Sequence, residues 1–237
     1  NKFLKKGSNN KLGFYLSEHN NKIDVKNNDL SEIENDKFKH IVYTLTYKNN
    51  FLFNLSNQFL KINYNYYHSQ NAEHSNYSSI LLSYRKSIFL SDYLGSPRLK
   101  LKFSGSLKSK NNLPYYENEY LGGDRYVRSF KPNPDSNHEN SKDKLKFFNM
   151  LIYSMEVHIP LEEKINLLNN LNLMFFVDYG LGSNTYDNFD LSNKIKGFGL
   201  GCKFNMSILE QEEFIISYGL NEFGQRQIHF HTNKIIF

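Results

Sequence analysis

From His40 onward, apolar and polar residues alternate with a period of two, and the pattern returns again and again. Ile41, Tyr43, Leu45 and Tyr47 oppose Val42, Thr44, Thr46 and Lys48. The alternation continues from Phe51 to Tyr67, where Leu60, Ile62, Tyr64 and Tyr66 oppose Lys61, Asn63 and Asn65. Ile80, Leu82, Tyr84, Ile88 and Leu90 form the next apolar line, broken by Lys86, and Leu99, Leu101 and Phe103 alternate with Arg98, Lys100 and Lys102. After a long irregular stretch the pattern resumes. Leu151, Tyr153, Met155, Val157 and Ile159 oppose Ile152, Ser154, Glu156 and His158, and Leu173, Phe175 and Val177 oppose Asn172, Met174, Phe176 and Asp178. Phe198, Leu200, Cys202, Phe204 and Met206 oppose Gly197, Gly199, Gly201, Lys203 and Asn205; runs at 214–219 and 226–237 complete the series. Side chains of a strand alternate between its faces, so this is the pattern of β-strands with one apolar face. It predicts nine or ten strands, five of them after Lys146, and an all-β fold. Residues 1–39 are poorly patterned. They are expected to hold a short strand at Leu12–Ser17 and a charged, Asn-rich loop to Lys39, with the regularly stranded portion covering 40–237.

Alternation by itself suits a soluble sandwich as well as a membrane barrel. Two features favour the barrel. Several runs are longer than the five to six residues usual in soluble strands. The faces opposite the apolar ones carry lysine, arginine and asparagine even in the longest runs, as a wet lumen allows. A mean hydropathy of −0.61 is compatible with this, because a barrel strand is apolar only at every second position. No stretch of about 18 apolar residues is present, so a transmembrane helix is not expected.

Between the two sets of strands, at about 111–146, lies a loop containing Leu121-Gly122-Gly123-Asp124-Arg125-Tyr126-Val127-Arg128-Ser129-Phe130. Tyr126, Val127 and Phe130 make it too apolar for a free loop, so it is expected to dock as a tongue. Arg128 then needs an acidic partner, since an unpaired buried guanidinium is costly.

At this loop and the strands after it, the chain resembles the outer-membrane barrel-assembly and polypeptide-transport superfamily, the bacterial surface antigen type of barrel. Its mark is a Leu-Gly-Gly…Val-Arg-Gly-Phe/Tyr loop folded into the lumen of a sixteen-stranded barrel. The matching residues are Gly122, Gly123, Val127, Arg128 and Phe130; Ser129 stands where the family has glycine. The resemblance implies that two wall acids hold the arginine. Met155-Glu156-Val157-His158-Ile159-Pro160 supplies Glu156, and Phe176-Val177-Asp178-Tyr179-Gly180 supplies Asp178. The alternation independently sets both acids on the polar face. The resemblance further implies that the chain is the C-terminal part of such a barrel, with upstream strands and N-terminal soluble repeats belonging to a longer protein. The run from Phe176 to Ser183, followed by Gly197–Gly201, is most similar to the plastid outer-envelope import channel. That implies a non-enzymatic channel for preproteins in the outer membrane of a plastid-type (apicoplast-like) organelle. Precursor polypeptides, membrane lipids and other translocon subunits are its expected partners. The alternative is a mitochondrial-type barrel that inserts β-barrel precursors.

Composition adds exclusions. The net charge of +5 is spread along the chain, with no basic run that would argue for nucleic acid. The lone Cys202 provides neither a disulfide nor a thiolate metal site. His229 and His231 share a strand face without an acidic or cysteine co-ligand, and Glu156 and Asp178 lack a further catalytic group, so neither a metal nor a cofactor is expected. Gly197, Gly199 and Gly201 sit at period two with no following helix. They are not a phosphate loop, and are expected to make room for the tongue or to bend the strand.

Overall fold

A computed structural model of the chain describes residues 9–22, 37–53, 56–69, 76–91, 96–109, 119–123, 126–131, 145–161, 168–185, 194–206 and 209–234. Ten long strands form one antiparallel sheet. They are β1 (Asn9–Lys22), β2 (Lys37–Phe53), β3 (Ser56–Ser69), β4 (Tyr77–Phe89), β5 (Arg98–Lys108), β8 (Asn149–Pro160), β9 (Leu168–Ser183), β10 (Lys194–Met206), β11 (Leu209–Asn221) and β12 (Arg226–Lys234). Each neighbours the next in this order, and β1 and β12 are the two edges. The short β6 (Glu119–Tyr120) and β7 (Lys146–Phe147) pair with each other at the base of the tongue. Among the described residues no helix is long and apolar enough to cross a membrane.

The distribution of polarity identifies the kind of sheet. Across β1 to β5, the register aligns Phe14, Leu45, Tyr64, Ile80 and Leu107 in one transverse row, and all five are exposed. A second exposed row runs Phe175, Leu200, Tyr218 and Ile228 across β9 to β12. The opposite face buries Asn65, Ser79, Ser154, Glu156, His158, Asp178, Ser217 and His229. A soluble sheet would place the apolar row inside. Apolar-out and polar-in is the arrangement of a wall whose outer solvent is hydrocarbon. The long strands reflect the same requirement: every backbone group at membrane depth needs a ladder partner, and lengths of 9 to 17 residues provide it.

The start of the sheet differs from expectation. β1 runs past Ser17 to Lys22, and β2 begins at Lys37, so the sheet extends upstream of residue 40. The sequence from Glu18 to Lys22 is polar and has little strand propensity of its own. Its conformation comes from pairing with β2, whose register continues through Lys22↔Lys37. The expected loop residues 23–36 lie outside the described residues. The run from Phe51 to Tyr67 is divided between β2 and β3.

Candidate functional site

The tongue enters from the β5–β8 connection and packs on the inner face of β8 to β12. Of the loop read from the sequence, 111–118, 124–125 and 132–144 lie outside the described residues. The remainder is compact. Gly123 N donates to Val127 O, Val127 N to Leu121 O and Phe130 N to Val127 O. Leu121, Val127 and Phe130 are buried and cluster with Leu145, Phe147, Met150, Ile152 and Ile195.

The two glycines have separate reasons. Gly123 has φ 116°, in the region L side chains avoid. Gly122 is extended against the returning chain: a Cβ there would collide with the Lys131 carbonyl and lie 2.9 Å from Phe130 Cβ. Ser129 replaces the family's glycine without backbone strain, because Ser96 is the one described non-glycine residue with positive φ. Its space comes from the wall instead. A Cβ on Gly197 would overlap the Ser129 side chain, and one on Gly219 would come within 2.8 Å of Ser129 Cα. Similarly, Val127 rests on Gly180 and Phe147 on Gly182. Of the three period-two glycines, Gly197 makes room for the tongue. Gly199 and Gly201 instead admit the neighbouring Phe176 and Met174 side chains and β11 carbonyls.

Arg128 reaches back from this floor to β8 and β9. Its Nε and Nη2 donate to Asp178 at 2.8 and 2.6 Å in a bidentate fork. Nη1 donates to Glu156 at 2.7 Å, and Nη2 also donates to the Ser154 hydroxyl at 3.0 Å. The remaining Nη1 direction faces Met174 Sδ at 3.7 Å, and the guanidinium plane lies 3.7 Å above the Phe176 ring. All five guanidinium donors are therefore directed at acceptors, the condition under which a buried charge is tolerable. Burial opposes the positive charge, but the Asp178 hydrogen bond and charge, reinforced by Glu156, raise the Arg128 pKa above its ordinary value. The backbone is held too. Arg128 N donates to Asp178 at 3.0 Å, and its carbonyl accepts from His229 Nε2 at 2.6 Å.

Each predicted site residue thus occupies one assembly: Gly122, Gly123, Val127, Arg128 and Phe130 on the tongue, Glu156 and Asp178 on the wall. Ser154 and His229 were not singled out for it. Ser154 donates to Asp178 at 2.7 Å while accepting from Arg128, and its signal was a polar-face position two residues before Glu156. His229 had inward parity, but nothing local connects it with a residue 101 positions earlier. Glu156 is further bound by Lys102 at 2.5 Å and His158 at 2.8 Å, so both of its oxygens are engaged. Among the described residues, no group of three or more His, Cys, Asp or Glu is arranged to hold a metal ion.

A long-stranded antiparallel wall, apolar outside and polar inside, with an arginine-anchored loop against its inner face, has the build of an outer-membrane β-barrel wall. The family model described as the Omp85 superfamily domain matches residues 8–221, and the chain belongs to the Omp85 superfamily. Among solved structures, CdiB from Acinetobacter baumannii is similar in fold, with 15% sequence identity and a TM-score of 0.67. The match covers 96% of this chain and 39% of that chain, so the chain spans about two fifths of the length of that protein. No curated protein sequence matches.

Proposed function

We propose that this chain forms the C-terminal part of a sixteen-stranded outer-membrane channel that moves unfolded preproteins into a plastid-type organelle, with no catalytic chemistry of its own. The observation that carries this reading is the clamp of Arg128 on Asp178 and Glu156. A passive solute pore has no need of a loop pinned to its inner wall by a buried ion-pair network. A protein that must pass or hold back a chain does, because such a loop occupies part of the lumen. The plastid assignment rests on the likeness of residues 176–183 and 197–201 to the import channel. Membrane lipids contact the outer rows, and other translocon subunits are expected partners.

The test is carbonate extraction of the full-length protein with organelle markers, together with precursor import in Arg128→Ala. Carbonate-resistant protein beside a plastid-envelope marker, with import lost in the variant, supports the reading. The same behaviour beside a mitochondrial outer-membrane marker, with barrel precursors failing to insert, replaces it with the insertase reading. Release into the soluble fraction removes both.

A further inference from the structure

The inner face of β1 to β5 carries charge of one sign. Lys11 stands opposite Lys48, and Lys48 opposite Lys61, so three strands present lysines in one transverse row. Arg85 stands opposite Lys102, with Lys100 the next inward residue on β5. All lie on the face opposite the exposed apolar rows. Among the described residues, no aspartate or glutamate occupies an inward position on these five strands. The carboxylates that meet this face, Glu119, Glu156 and Glu213, belong to β6, β8 and β11 and are engaged by Lys108, Lys102, Arg128 and Lys203. Like charges directly opposite each other across a ladder are destabilising. A row of them is a feature that stability alone does not explain.

The β3–β5 part of this face opens into a cavity of about 1090 Å³ beside the tongue, where Arg85, Lys100, Lys102, Lys203 and Arg128 outnumber the paired Glu156 and Glu213. A cleft in which cations outnumber carboxylates focuses a positive field on whatever enters. The volume is at the upper end of, or above, that of ordinary small-molecule pockets. A periodic row of cations along extended strands suits an extended polyanion better than a point ligand.

We infer that the inner face of β1–β5 is a binding surface for acidic polypeptide segments in extended form. The inference rests on the proposed polypeptide-conducting role and names the clients' chemistry. Lys48, Lys61, Arg85 and Lys100 meet carboxylates of the passing chain, while the clamp on the opposite wall keeps its own acids occupied. Basic leader segments gain nothing from this surface, so selection falls on acidic stretches elsewhere in a client.

The test is fluorescence anisotropy of labelled oligoglutamate, oligolysine and uncharged Gly-Ser decapeptides with the full-length protein in neutral detergent. Oligoglutamate is expected to bind about tenfold more tightly than the uncharged peptide and to weaken as salt rises. A combined Lys48→Gln, Lys61→Gln, Arg85→Gln and Lys100→Gln variant should lose that advantage, whereas Lys194→Gln, on the outer face, should keep it. Should the combined variant fail to fold, Lys61→Gln and Lys100→Gln singly are each expected to weaken oligoglutamate two- to threefold. Equal binding of the three peptides, or unchanged binding in both single variants, overturns the inference. Planar-bilayer currents address the underlying role separately. Selective oligoglutamate binding without any conductance leaves the surface standing and removes the conducting reading.

Discussion

The two halves of the inner wall solve the problem of buried charge in opposite ways. On β8 to β12, each charge of the clamp meets its opposite: Arg128 fills the oxygens of Asp178, shares Glu156 with Lys102, and rests on a floor cleared by Gly180, Gly197 and Gly219. On β1 to β5, cations face cations across the ladders, and no inward carboxylate is interleaved among the described residues. The first half is built for a fixed internal partner, the tongue. The second remains available to something that is not part of the sheet. Both arrangements can coexist because Lys48, Lys61 and Lys100 are half-buried and Arg85 is exposed, so these cations keep part of their hydration.

Breaking the clamp should have the largest effect. Arg128→Ala leaves Asp178 and Glu156 buried with their main cation gone, a loss of about 3–5 kcal/mol for comparable buried pairs. Proteolysis of the tongue should accelerate, and the heat-modifiable electrophoretic mobility of the folded barrel should shift to lower temperature. Equal protection in wild type and variant would show that the tongue is held by its apolar contacts alone.

Next comes the floor. Gly197→Ala brings a methyl group into the Ser129 side chain and should cost about 1–3 kcal/mol by overpacking. Ser129→Gly, which restores the family's residue, should relieve most of that cost in the double variant. Additive effects in a double-mutant cycle on melting temperature would mean that the two positions do not meet.

His229→Phe keeps a ring of similar size while removing the donor to the Arg128 carbonyl. The expected destabilisation is about 1–3 kcal/mol, the usual penalty for a buried group left unsatisfied. His229→Gln should recover part of it, and hydrogen exchange on β12 would report the difference.

The smallest effect on stability belongs to the other half. Lys61→Gln removes one member of the Lys48–Lys61 pair and should leave stability within about 0.5 kcal/mol, or raise it slightly. A loss as large as that of Arg128→Ala would show that Lys61 has a structural partner, and the contrast between the halves would fail.

The amino-acid order alone determined a good deal. The period-two runs carried the all-β class, the long strands and the face on which Glu156 and Asp178 lie, because alternation is a local property of a strand. The Gly-Gly and the apolar residues around Arg128 marked a docking tongue, since such a loop is unstable in water. What was not legible locally was decided by pairing and packing. Residues 18–22 became strand because β2 offered a ladder, which their own polar sequence could not announce. Serine at 129 proved unstrained because its backbone keeps φ below zero and Gly197 clears its side chain, a fact held 68 positions away in the sequence. His229 and Ser154 joined the site, and the lysines of three separate strands fell into one row, only when the register was set. Register is a collective property of the sheet: a slip by one residue would turn every one of these side chains to the other face.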